Sequence, residues 1–425
     1  MGERAERTGD NPIQAAERVD SGGGPSTHWR RSLSRELRRA LGAIRRELIK
    51  PLAALLAVVV VQQLAALVPG LVENFYARSF YPRVARTLSL TTGGLPFSAG
   101  EATVVLFFLL LLSALARLVY VLARRRGEWR ALLLASCKFV LWCAAVSVFV
   151  FMLVFGFNYE RPPLVETLGY DQRRANTEEL DAMTRAVVEG VNRNYEEAHA
   201  AGYTAPDTLR VVEILEESYA REPELSPFAV EGFGPPKAVY FSDVLTRLGI
   251  SGMYFPFTGE PNFNADAPDF ERPFSIAHEM AHQRGFARES EANFVAFLVC
   301  THASDPFVRY SGYRQGFGVA FELYKLDAER ARAILKSLSA GYREDSLRAA
   351  RFWAKAAGRA GALSMRLNDL YLKANRVKTG TKNYGEVTAL LIGYYLKSPP
   401  APLAPSVNDS LNTTPTPMPV ARSTP

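Results

Sequence analysis

The sequence predicts an α-helical membrane region followed by a mainly helical α+β domain with a small sheet. Three observations carry this. Long apolar runs crowd the first 160 or so residues, while the remainder has an ordinary soluble composition. Helical spacing of apolar residues then dominates the second part. Between those helical patterns lies one stretch rich in Gly, Pro and aromatics, which reads as short strands and turns.

Residues 1–50 form a polar, disordered start that becomes strongly basic. Between Arg30 and Lys50, in "RRSLSRELRRALGAIRRELIK", eight Lys/Arg stand against Glu36 and Glu47, within a chain of formal net charge +7. A basic flank beside an apolar run marks the cytoplasmic end of a membrane span. No aromatic or Gly-rich nucleic-acid motif accompanies the charge, so a nucleic-acid partner is not expected.

Residues 51–158 hold three apolar segments, at 51–72, 102–122 and 131–157, each long enough for the roughly 20 residues a bilayer requires. Arg117 and Lys138 both lie toward the basic loop "ARRRGEWR", where single charges can reach the interface. The N-terminus and that loop are therefore expected on the cytoplasmic side. Three crossings then place residues 159–397 outside the cytoplasm, and the lipid bilayer is an expected partner. The Pro/Ser/Thr-rich tail, 398–425, is expected to be disordered.

Cys137 and Cys143 fall in an apolar run and Cys300 in "FVAFLVC". Neither a disulfide framework nor a thiol nucleophile is implied.

The chemistry is concentrated in "SIAHEMAHQRGFARESEANF", residues 275–294. Two of the five histidines, His278 and His282, stand four apart with Glu279 directly after the first. On a helix started near Pro273 and stopped near Gly285, both imidazoles lie on one face and can reach one Zn²⁺ at about 2.0–2.1 Å. Glu279 is then placed to take a proton from the water the metal activates and deliver it to the leaving amine. H-E-x-x-H is a short pattern that also arises by chance, so a third ligand matters. Glu289 and Glu291 on the next helix sit about 200° apart, and only one can face the metal. Periodicity does not choose between them.

The E-A-N-F run resembles the second-helix signature of gluzincin-type metallopeptidases. In the ImmA/IrrE-like peptidases the Glu before the Ala-Asn pair is the third ligand, which implies Glu291 here, with Glu289 as runner-up and Asn293 as outer support. More widely the chain resembles the bacterial membrane proteins grouped as the DUF3810 family. The residues that carry this are "ENFYARSFYPRVARTLS", "LPFSAGE", "NYERPPL", "TGEPNFN", "HEMAHQRGFARESEANF" and "LNDLYLKANRV". The resemblance implies a membrane-anchored zinc peptidase with a zincin-like extracytoplasmic domain.

The expected function is therefore zinc-dependent hydrolysis of a peptide or protein near the membrane or cell wall. His278, His282 and Glu291 hold Zn²⁺ and Glu279 is the general base. A non-catalytic zinc-binding sensor or scaffold is the alternative. An intramembrane protease is disfavoured, because the motif lies in "APDFERPFSIAHEMAHQRGF", too polar for lipid. Residues 249–264 are expected to offer an edge strand to substrate backbone. Tyr371 and Tyr384 are candidate oxyanion donors, with packing the blander role for each. His302, Arg284 and Arg288 are expected on solvated faces.

Overall fold

The computed structural model describes residues 25–124, 129–228, 231–375 and 384–400; of residues 25–41, 43–45, 130 and 384 only the backbone is described. Of the start expected to be disordered over 1–50 and the tail over 398–425, residues 1–24 and 401–425 lie outside these residues, whereas 25–50 are helical, contrary to that expectation. The fold is mostly helical with one small sheet and three long apolar helices near the N-terminus.

Helix α1 spans Pro25–Ala65, so the basic flank and the first apolar run are one continuous helix. A π-helical segment, Val72–Phe80, leads into α2, Tyr81–Gly93. Helices α3, Ala99–Arg124, and α4, Trp129–Val154, carry the other two apolar runs. The stretches long and apolar enough to cross a membrane are Arg46–Ala65, Ala99–Arg124 and Ala131–Val154. The first stops earlier than the apolar run itself. After Ala65 the backbone turns, and Pro69, which has no N–H for an ongoing helix, starts a separate short turn.

The chain divides into two compact units. The first comprises residues 1–60 and 114–149. Within it Lys138 Nζ donates to Glu47 Oε2 at 2.5 Å, joining α1 and α4 near their basic ends. The second comprises 61–113 and 150–425. The 72–93 segment and the residues that follow the third apolar helix thus pack within the unit that holds the H-E-x-x-H sequence.

That second unit continues with α5, Thr177–Ala198, opened by a full capping box between Asn176 and Glu179, and α6, Thr208–Arg221. Strand β1, Lys237–Val239, helix α7, Ser242–Leu248, β2, Gly252–Phe255, and β3, Glu260–Asn264, follow. The sheet order is β1-β3-β2, with β1 parallel and β2 antiparallel to the central β3. Among the described residues β2 pairs only with β3, so it is an edge strand, as residues 249–264 led one to expect.

Next come α8, Arg272–Gln283, and α9, Glu289–Thr301, which is buried on nearly every side. Then follow α10, Pro306–Tyr313, α11, Gly318–Leu326, and α12, Ala328–Leu335. The last are α13, Ala340–Trp353, α14, Arg359–Ala374, and α15, Tyr384–Lys397. The helical pattern over 317–342 is cut where Asp327 leaves helical geometry at φ −145° and caps α12 through its side chain. The one over 345–375 is cut ahead of Gly358, the N-cap of α14.

The main core joins α5, α6, α8, α9 and α15 around Val187, Leu215, Met280 and Leu298. A second cluster holds Tyr81, Phe155, Tyr159 and Tyr254. It packs the segments that flank the apolar helices against β2 and the end of α8.

Candidate metal centre

Helix α8 exists because Pro273 suits a first turn and Gly285 suits a stop. Gly285 has φ +91°, and a Cβ there would lie 2.9 Å from the Tyr81 ring. Both the left-handed conformation and the close approach therefore favour glycine. The Tyr81 hydroxyl donates to the carbonyls of His282, at 3.1 Å, and Gln283, at 2.9 Å, where the helix runs out of partners of its own.

His278 and His282 lie one turn apart, with ring centroids 4.7 Å apart and planes at 89°. Their Nε2 atoms point at one oxygen: Glu289 Oε2 lies 3.2 Å from His278 Nε2 and 3.8 Å from His282 Nε2. His282 Nδ1 lies 2.8 Å from the Phe286 carbonyl. Since a carbonyl only accepts, Nδ1 carries a hydrogen and Nε2 is the atom left to face Glu289.

The donor set can be tested against a tetrahedral ion. Bonds of about 2.0–2.1 Å put ligand atoms about 3.3 Å apart. The two nitrogens and the carboxylate oxygen lie within 4.8 Å of one another, with Glu289 Oε2 at 3.2 and 3.8 Å from the two Nε2 atoms, so the three side chains fit. A further sign is Glu279 Oε2, a buried oxygen with no hydrogen-bond partner among the described residues.

The electrostatics are those of acceptors crowded together. Burial raises the pKa of Glu279, and the charge of Glu289 adds to this against the two imidazoles and a backbone bond from Tyr254. Burial pulls His282 down, but Glu289, through a hydrogen bond and its charge, more than offsets that and holds it up at about 9. Glu289 itself is held well below the usual carboxylate range; burial opposes this, and the two histidines prevail.

The third carboxylate is where expectation and structure part. Glu291, expected on the metal, faces away. Its Oε1 accepts from Leu164 N at 2.8 Å and from Arg288 Nη1 at 2.7 Å. Arg288 also donates to the carbonyls of Tyr159 and Arg161, so Glu291 fastens the segment after α4 to α9. Only residues 284–288 separate the two helices, which sets the first residue of α9 beside the histidines and turns Glu291 about 200° around. The pair Arg288 and Glu291, at i and i+3, was the available sign that Glu291 had another partner.

The remaining candidates fall as follows. Arg284, expected on a solvated face, is buried, with its guanidinium 2.6 Å from Glu216 and over the Tyr219 ring at 4.1 Å. Arg288 is largely covered too, because it bridges Glu291 to backbone carbonyls. His302 is half-exposed, bonded to Glu222 and Tyr394, and caps the opposite end of α9 from Glu289. Asn293 makes no hydrogen bond to the site among the described residues. The hydroxyl of Tyr371 accepts from that of Tyr159 at 3.2 Å, and the charge of Glu289 reaches both rings. The side chain of Tyr384 lies outside the described residues.

The family model for DUF3810, described as a protein of unknown function, matches residues 76–392. The chain belongs to the DUF3810 family. No curated protein and no solved structure matches. The DUF3810 match begins at Tyr76, inside the π-helical segment, and so takes in both Tyr81 and the full set of residues that converge on α8.

Proposed function

We propose that this chain is a membrane-anchored, zinc-dependent peptidase with a zincin-like domain on the extracytoplasmic side. The observation that carries the reading is the convergence of His278, His282 and Glu289 on one point beside a buried carboxylate oxygen of Glu279 that has no hydrogen-bond partner among the described residues. Zinc, when held there, supplies a Lewis acid for the scissile carbonyl and lowers the pKa of water. Glu279 is the base: Oε2 accepts the proton from the attacking water and returns it to the departing amine nitrogen, so no covalent enzyme intermediate is needed. Its raised pKa strengthens it as the acceptor of that proton. The free edge of β2, next to Glu279, is placed to pair with substrate backbone. Tyr371, which accepts from Tyr159, keeps its own O–H to donate toward a developing oxyanion.

The basic charge of the N-terminal flank and of the sequence "ARRRGEWR" supports a cytoplasmic side for both. The test is metal analysis of the purified full chain, followed by peptide-library cleavage by wild type and Glu279→Gln. About one zinc per chain, with cleavage lost in the variant and metal retained, supports the peptidase. Metal without cleavage in either protein favours a zinc-binding sensor or scaffold.

A further inference from the structure

We infer that the substrate is the membrane-proximal stretch of another membrane-anchored polypeptide, cut within about ten residues of its own span; this rests on the peptidase reading. Strand β2 measures the distance. At one end Gly252 touches Glu279, where a Cβ would meet Cγ and Oε1 at 2.7 Å. At the other end Phe255 packs on Gly100, in the first turn of the second apolar helix, where a Cβ would meet the Phe255 side chain at 3.0 Å. Three residues of extended strand cover about 10 Å. The general base therefore stands about that far from the start of a lipid-facing helix.

The sheet is bonded to that helix. Glu260, opposite Phe255 in the register, accepts from Ala99 N at 3.3 Å and Gly100 N at 2.8 Å. Glu101 in turn accepts from Tyr240 N at 2.9 Å and Phe241 N at 2.8 Å. A second path gives the same scale. The Phe155 ring lies 6.4 Å from that of His282 and 6.1 Å from that of Phe151, in the last turn of α4.

A chain added to the free edge of β2 runs along the line between Glu279 and α3's first turn. It thus enters or leaves the site beside the bilayer. The surroundings suit an apolar neighbour: Leu363, Leu367 and Leu370 on one face of α14 are more than half exposed, and Tyr371 on the same helix packs on Phe151. A substrate cut far from its anchor gains nothing from this placement, whereas an anchored one is held at high local concentration.

The experiment uses the full chain, zinc-loaded, in phosphatidylethanolamine–phosphatidylglycerol vesicles. The probe is a single-span polypeptide followed by a long mixed-sequence extracytoplasmic segment, with products mapped by mass spectrometry. Cuts are expected within about ten residues of the probe's span and to stay there when a polar spacer moves the sequence outward. The same segment without a span should be cut at least about tenfold more slowly. A photo-crosslinking residue at Met253, in a Glu279→Gln background, should capture the probe's first residues beyond the membrane. Cuts that follow the sequence outward, or equal rates for the anchored and free segments, overturn the inference and leave the peptidase reading standing. Crosslinking near the span with no cleavage by the Glu279-containing protein supports the placement and overturns the peptidase reading.

Discussion

Gly252 of β2 lies against the carboxylate of Glu279: a Cβ on Gly252 would sit 2.7 Å from both Cγ and Oε1. The edge strand and the candidate base are thus in contact, and the strand's missing side chain is what lets the carboxylate stand where it does. Gly252→Ala is expected to push Glu279 aside without touching a metal ligand. A misplacement of about 1 Å can cost around a hundredfold in rate. The check is kcat together with metal content: a loss of that order in kcat at unchanged zinc stoichiometry is the outcome expected.

Glu289, not the Glu291 that the resemblance implies, stands beside the two imidazoles, and substitution separates the two carboxylates. Glu289→Gln removes the charge of the oxygen that faces both imidazoles and, on the proposed zinc site, is expected to lower zinc retention during dialysis against a chelator. Glu291→Gln leaves the metal in place. It instead leaves Arg288 without its carboxylate in a largely covered site, and breaking a buried pair costs about 3 kcal/mol or more. Chelator competition and thermal unfolding, run on both variants, should give opposite profiles.

Tyr371 is held by Tyr159 and, as a residue, is 40% exposed, so its hydroxyl is dispensable for packing. Tyr371→Phe should unfold at nearly the wild-type temperature. If the hydroxyl donates to the oxyanion, kcat falls by about a hundredfold with little change in KM. A variant with unaltered kcat assigns Tyr371 to packing alone.

Much of the site was readable because it is local. His278, Glu279 and His282 share one helix, and helical spacing alone sets them on a common face. The three long apolar helices were legible because apolar runs of that length have few other uses. What sequence order conceals is long-range. Tyr81 reaches the His282 carbonyl across 201 positions, and Glu291 meets Leu164 across 127. Neither contact leaves a periodic trace. Resemblance implies Glu291 as the third ligand, whereas the short link between α8 and α9 sets Glu289 beside the imidazoles. The buried Arg284 was misjudged for a similar reason, since its partner Glu216 comes from α6, 68 residues earlier.

The same long-range packing gives the domain a pH dependence. Glu73, in the π-helical segment, accepts from Arg161 Nε at 2.7 Å and Arg78 Nε at 2.7 Å, while Arg161 also donates to the Gly285 carbonyl at 2.9 Å. Burial raises the pKa of Glu73, but the two guanidiniums outweigh it and hold the carboxyl below its ordinary value. A carboxyl with a depressed folded pKa contributes stability above its unfolded pKa, about 4.3, and loses it as pH falls through the folded value. Thermal unfolding of the full chain is therefore expected to weaken below about pH 4. In Glu73→Gln the midpoint should be lower at pH 7, because Arg161 stays buried without its counter-charge, at a cost of about 3 kcal/mol. It should also change less with acid than wild type does. Equal acid sensitivity in the two proteins would mean that other carboxylates carry the effect, and that this clamp between the membrane-proximal segments and α8 contributes little.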